Sequence, residues 1–236
     1  MVKLMKLELK RNRLRSYVSA ALIITIVMVG FLYLSAAIPY LDDSQTDIEM
    51  FASYSNIATF ICMFGMVCFS ILSSVMYARF VVEEYSGKRA ILLFSYPVNR
   101  KEILCAKITI VFLFTVLSMI LSGLVAFAVF YTTELFVPIC KDTLTIFIIF
   151  KTIALLLVYS LMAGALAVIS LWFGLWKKST PVTIVSGTII VVVACNILGA
   201  GISNIFPSML VSILSIIMAS VLIMEIGRKV DVMEVE

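Results

Sequence analysis

Few residues in this sequence could carry out chemistry. It contains no histidine, and its five cysteines (Cys62, Cys68, Cys105, Cys140 and Cys195) form no CxxC pair. The commonest general base is therefore missing, and the cysteine spacing indicates neither a zinc site nor a disulfide framework. We predict no catalytic residues, no metal site and no cofactor bound by this chain.

A phosphate-binding loop is also missing. The motif G-x-x-x-x-G-K-[ST] cradles nucleotide phosphates, but Gly87-Lys88 is followed by Arg89 and lacks the earlier glycine. The chain is therefore not expected to hydrolyse ATP or to be an enzyme by itself.

Two charged residues lie in otherwise apolar stretches. Lys151 lies about seven residues inside its stretch, where its side chain could extend to the membrane surface or line a polar pathway. Glu225 lies near the end of the last stretch, and we expect it to meet Arg228 or Lys229. Lys151 is thus a possible pathway residue.

The composition shows which kind of fold must position these residues. Hydrophobic residues make up 63% of the 236 residues and charged residues 14%, against about 45–50% and 25% in soluble domains. A membrane-crossing helix needs roughly 20 apolar residues. The sequence therefore predicts an all-α membrane protein with one transmembrane domain over residues 1–236 and six transmembrane helices, at about 16–38, 55–82, 103–132, 144–176, 180–198 and 207–226.

Small residues recur four positions apart within these spans, which favours close packing between helices. The pairs are Ser118/Ser122, Ser160/Gly164 and Ser170/Gly174.

The basic residues predict the orientation. Sixteen of the 18 lie on one side of the predicted spans, and only Lys141 and Lys151 lie on or near the other. Because loops rich in lysine and arginine stay inside, both termini are expected in the cytoplasm. The first apolar run is longer than that of a signal peptide, so we expect an uncleaved first span.

Residues 1–15 are predicted to form an interfacial elbow helix. The segment combines apolar stripes with six basic residues next to the first span, a composition typical of helices that lie on an anionic leaflet. A plain basic tail is the alternative.

The segment between spans two and three carries the main candidate site. Its apolar run, Ala90 to Phe94, is followed by Tyr96 and Pro97, and Pro97 ends that element. A short helix with an exposed apolar face is typical of a docked element. The candidate docking residues are Glu83, Glu84, Lys88, Arg89, Ile91, Leu92, Leu93, Phe94, Tyr96 and Pro97. Glu83 and Glu84 could pair with a partner protein, with Arg79 and Lys88, or remain solvated.

This pattern resembles the ABC-2 type permeases, the membrane subunits of one class of ATP-binding-cassette exporters. The resemblance rests on Glu83-Glu84, Gly87, Ile91-Leu92-Leu93, Tyr96-Pro97-Val98, Arg100, Leu104 and Lys107, together with the basic amino terminus and the six-span layout.

The resemblance implies a coupling helix after span two that inserts into a separate ABC ATPase subunit, which would bind ATP and Mg. It also implies a second permease copy and a multi-pass location in the bacterial cytoplasmic (inner) membrane. Small members of this design often export antimicrobial or toxic peptides or give immunity to them. The short external loops distinguish this chain from members with extracellular modules.

The leading hypothesis is therefore an exporter permease whose cargo is an amphipathic peptide or a hydrophobic small molecule, with no nucleic-acid partner. A membrane scaffold or accessory subunit is the alternative. An intramembrane enzyme is less favoured because the spans contain no histidine and few charges.

Overall fold

The described part of the protein consists almost entirely of long helices. The computed structural model describes residues 14–41, 53–85, 100–136, 145–199 and 205–232. Regular structure in these ranges is entirely helical: α1 is Arg15–Leu41, α2 Tyr54–Tyr77, α3 Arg100–Phe136, α4 Ile146–Lys177, α5 Thr180–Gly199 and α6 Ile205–Val232. Helix α2 continues as a π-helical turn, Ala78–Val82 (the π turn), and a last α-helical turn, Glu83–Tyr85.

Six of these helical stretches are long and apolar enough to cross a membrane, so the predicted six-span all-α fold is confirmed. Helix α3 has 37 residues, or about 55 Å at a rise of ~1.5 Å per residue. It therefore extends beyond a hydrocarbon core of about 30 Å. Residues 1–13, with most of the predicted elbow helix, and residues 86–99, with the predicted coupling helix, lie outside the described residues.

Helices α2 and α4 form the centre of the bundle. They contact each other extensively, and α4 also packs against α3, α5 and α6. In the most apolar window of α4, 72% of the residues are buried, against 28% in those of α1, α5 and α6. The central helix can approach its neighbours closely because it is rich in glycine, alanine and serine between Met162 and Gly174.

A tight turn joins α4 to α5. Lys178 adopts the left-handed conformation with φ 48°, and its N–H donates to the carbonyl of Leu175. The N–H of Ser179 donates to the carbonyl of Gly174 at 3.2 Å. This is a Schellman motif, which satisfies the last carbonyls of α4. Only two residues separate the helices, so α5 returns alongside α4.

The outer surface of the bundle is apolar. Large side chains such as Ile26 on α1, Leu121 on α3, Ile189 on α5 and Met224 on α6 are more than half exposed. Apolar surface of this extent is expected where the surrounding solvent is lipid.

The charged residues collect at the two ends of the bundle. We call the end that carries Arg15, Arg79, Lys107, Lys177 and Arg228 the basic end. The opposite end carries Glu134, at the end of α3, and Lys151, near the start of α4.

Candidate functional site at the basic end

The structure describes the edges of the predicted coupling segment. Glu83 and Glu84 lie in the last turn of α2, at the basic end, and both are half-buried. The other candidates lie outside the described residues, and their role in coupling stays a prediction: Lys88, Arg89, Ile91, Leu92, Leu93, Phe94, Tyr96 and Pro97.

Lys107 on α3 is the partner of Glu84. The two side chains form an ion pair across the two helices. The Lys107 Nζ also donates a hydrogen bond of 3.1 Å to the carbonyl oxygen of Phe80 in the π turn. The sequence pattern offers Arg79, Lys88, a partner protein or solvent to Glu84, and it does not indicate Lys107 for this role.

The Lys107 ammonium is buried. The residue is 2% exposed, and the apolar cluster around this end of the bundle includes Val81, Leu104 and Ile108. Removing one member of a buried ion pair is strongly destabilising because the other charge loses its compensation. The one sequence signal for this pairing is a lysine in the apolar stretch Ile103 to Val111 of α3.

The π turn supplies part of the site. The N–H of Glu83 donates to the carbonyl of Ala78, five residues earlier, which is the bonding pattern of a π-helix. Such turns are rare and often occur at functional sites. Here the π turn presents the Phe80 carbonyl to an ammonium from another helix.

Helices α1 and α3 make further contacts with this part of α2. The ring of Tyr17 near the start of α1 packs edge-on against the Phe80 ring, with 5.3 Å between centroids. Tyr77 is fully buried, and its hydroxyl donates to the carbonyl of Ile108 on α3 at 3.2 Å. The π turn is therefore held by both neighbouring helices.

A second polar cluster lies at the opposite end. Lys151 is half-buried, and its Nζ donates to Ser55 Oγ on α2 at 2.6 Å. The neighbouring Tyr54 donates to the buried carboxylate of Glu134 on α3 at 2.5 Å. The position of Lys151 near a helix end suits a side chain anchored towards the membrane surface. Its role in a pathway stays a prediction.

Hydrogen bonds between neutral side chains also join helices at the opposite end. Tyr33 on α1 bonds to Thr133 on α3 at 2.8 Å. Tyr131 on α3 bonds to Thr152 on α4 at 3.0 Å. Helices α1 to α4 are thus joined by polar contacts at this end.

Small residues produce close contacts between helices, as predicted. Ser170 on α4 bonds to Ser74 on α2 at 2.9 Å, and Ser122 on α3 accepts a bond from Thr25 on α1 at 2.7 Å. A Cβ atom on Gly164 would lie 2.7 Å from the ring of Phe112. The described residues contain no group of three or more histidine, cysteine, aspartate or glutamate side chains that could hold a metal ion.

Comparison with known proteins identifies the family. The family model for ABC-2 family transporter proteins matches residues 4–194, most of the chain. The chain therefore belongs to the ABC-2 transporter family, which confirms the resemblance and makes it a transport subunit and not an enzyme by itself. Membership also implies an ABC ATPase partner.

One curated relative is similar over most of its length. This is the uncharacterized protein YcbO of Bacillus subtilis (strain 168), which is 27% identical over 188 residues, covering 80% of this chain and 81% of the relative. No solved structure matches.

Proposed function

We propose that this chain is the permease subunit of an ABC exporter and forms the membrane pathway for an amphipathic or hydrophobic cargo, with a toxic or antimicrobial peptide as the leading candidate. The observation that carries the proposal is the family match over residues 4–194, on a fold of six membrane-spanning helices. Because the sequence has no phosphate-binding loop, the energy must come from a separate ATPase subunit.

The basic end faces the cytoplasm in this proposal. Sixteen of the 18 basic residues lie on that side of the predicted spans, as expected for inside loops. Residues 86–99 connect α2 and α3 at the same end. The ATPase subunit therefore docks there, with ATP and Mg bound to that subunit.

The cargo class is inferred from the short connections at the opposite end. Helix α1 ends at Leu41 and α2 begins at Tyr54, while α3 ends at Phe136 and α4 begins at Ile146. These connections have no room for an extracellular binding module. A cargo that enters from the membrane needs apolar character, which an amphipathic peptide or a hydrophobic small molecule has.

Substitutions in the predicted coupling helix test the proposal. Leu92→Asp or Phe94→Asp would remove an apolar side chain whose burial is worth about 1.5–3 kcal/mol, equivalent to roughly 10–100-fold in affinity. We expect either change to leave the six helices inserted and to detach the ATPase subunit. Leu41→Asp, at the opposite end of α1, is the control and should leave ATPase binding unchanged.

Two measurements on the detergent-extracted complex provide the readout. Co-purification reports whether the ATPase is bound, and native mass measurement should give two permease chains with two ATPase chains. Wild-type binding by both aspartate variants would show that this segment is not the coupling element. A stable wild-type monomer with no ATPase would contradict the exporter assignment.

Cargo and direction need a transport assay. Inside-out vesicles containing the complex should accumulate a fluorescent amphipathic peptide only when ATP is added, because their cytoplasmic face is outside. Accumulation of a hydrophobic dye without the peptide would assign the other cargo class. ATP-driven loss of preloaded probe would instead indicate import.

A further inference from the structure

We propose that the Lys107–Glu84 ion pair and the π turn form a positioning device that passes movement of residues 86–99 to the transmembrane helices. The inference rests on the proposed function, because it assumes that an ATPase subunit acts on those residues. Lys107 and Glu84 act as positioning residues within the permease, and neither is assigned a contact with cargo or nucleotide.

The first argument is the location of the pair. Glu84 lies at the end of α2, one residue before the described helix ends at Tyr85, and Lys107 lies in the second turn of α3. The ion pair therefore joins the two helical ends that flank residues 86–99. A displacement applied to this segment reaches α2 and α3 together, because their ends are bonded to each other.

The second argument is burial. Exposed ion pairs exchange readily with water and contribute little, but Lys107 is 2% exposed. Its ammonium is satisfied by the Glu84 carboxylate and the Phe80 carbonyl within an apolar cluster. Separating these groups would leave charges in a low-dielectric site. The contact therefore holds while the helices move.

The third argument is the set of helices that meet at the π turn. Besides α3, the turn packs against α4 and α5, and Phe80 contacts Tyr17 on α1. Ala78, Val81 and Val82 are almost fully buried. Four other helices thus contact five residues of α2. A shift of the π turn is consequently transmitted to most of the bundle.

An ion pair that only stabilised the fold would respond differently to substitution. Replacing a buried ion pair by apolar residues of similar size is often neutral or stabilising. The variant Glu84→Met/Lys107→Met should therefore keep the fold and ATPase binding. If the pair passes movement from the coupling segment, the same variant should lose the effect of the permease on ATP hydrolysis, because α2 and α3 can then move apart.

The experiment uses the wild-type permease–ATPase complex and its variants in lipid vesicles with Mg-ATP. The measured quantities are thermal stability, ATPase co-purification, and the kcat and KM of hydrolysis with and without the permease. We expect the double methionine variant to retain thermal stability, ATPase binding and the KM for ATP. Its permease-dependent change in kcat should be roughly tenfold smaller than that of the wild type. Glu84→Gln keeps an oxygen acceptor but leaves the buried Lys107 ammonium without its counter-charge, so it should lower the thermal stability more than the double methionine variant does.

Lys177→Met/Glu225→Met is the matched control. It removes the same two residue types from exposed positions near the basic end. This control should retain the wild-type response. A loss of equal size in the control would mean that removing any two charged side chains at the basic end, and not the buried pair in particular, abolishes the response.

The outcomes separate this inference from the proposed function. A wild-type permease that neither binds an ATPase nor changes its hydrolysis overturns the proposed function and this inference with it. A wild-type response that the double methionine variant fully retains overturns this inference alone. Loss of folding or of ATPase binding in the double methionine variant also overturns it, because the pair would then serve assembly.

Discussion

Gly187 on α5 provides a direct test of how closely the central helices pack. A Cβ atom at this position would lie 2.4 Å from Ser74 Oγ and 2.8 Å from Ser74 Cβ on α2. It would also lie 3.3 Å from Ser170 Cβ on α4. We therefore predict that Gly187→Ala destabilises the protein, even though alanine is the better helix former.

The size of the effect follows from these distances. Carbon atoms pack at about 3.5–4.0 Å, so α5 and α2 would have to separate by roughly 1 Å. Overpacking of this kind costs about 1–3 kcal/mol. Displacing Ser74 also disturbs its bond to Ser170, worth ~0.6 kcal/mol between membrane helices. The helix propensity of alanine offsets about 1 kcal/mol, which leaves a net loss of roughly 0.5–2.5 kcal/mol.

This loss is measured by heating the protein in detergent and monitoring the folded fraction by size-exclusion chromatography. Each kcal/mol corresponds to about 2–4 °C in Tm for a chain of this size. Gly30→Ala on α1 is the control, because a Cβ there has no neighbour within 4 Å. Its Tm should stay the same or rise.

A size exchange tests the cause. Ser74→Gly removes the atoms that the new Cβ would meet, so Ser74→Gly/Gly187→Ala should recover part of the Tm lost in Gly187→Ala. If Gly187→Ala is as stable as Gly30→Ala, α5 does not pack as closely against α2 as this prediction requires. If Gly187→Ala is destabilised but Ser74→Gly recovers nothing, the contact with Ser74 is not the cause.

Two further predictions concern the opposite end of the bundle. Tyr54→Phe removes a hydrogen bond to a buried carboxylate and should lower the free energy of unfolding by about 1.5–3 kcal/mol. Tyr33→Phe removes a hydrogen bond to a neutral hydroxyl and should lower it by only about 0.5–1.5 kcal/mol. Equal losses of Tm in the two variants would refute this difference. An impermeant thiol reagent on intact cells should label Cys140 but not a cysteine introduced at Lys3 or Glu234, and labelling of either terminus would contradict the proposed orientation.

The sequence alone was sufficient to predict the membrane fold and the family. Apolar run length depends only on local composition, and a bilayer of nearly fixed thickness converts it into a number of spans. The residues from Glu83 to Lys107 similarly carried the resemblance to the ABC-2 permeases, which the family match confirms. Six spans and a transport subunit that is not an enzyme by itself thus follow from linear patterns.

The candidate site was predictable only in part. The sequence identified Glu84 as a candidate because it borders the predicted coupling helix, and Lys151 because a charge in an apolar stretch is costly. It did not predict their partners. Glu84 pairs with Lys107, 23 positions away, and Lys151 bonds to Ser55, 96 positions away. Such pairings depend on which helices become neighbours, and hydropathy carries no information about this.

Tertiary structure also decided which helices are central and where the backbone departs from α-helix. The apolar stretches of all six spans have similar hydropathy, yet α2 and α4 are buried and α1, α5 and α6 are largely exposed. In lipid, apolarity does not distinguish a buried face from an exposed one, so close packing of small residues makes the choice. The π turn at Ala78–Val82 likewise lies where α1 and α3 contact the end of α2. The sequence thus determined that the chain crosses the membrane six times, and packing between helices determined where its buried charge lies.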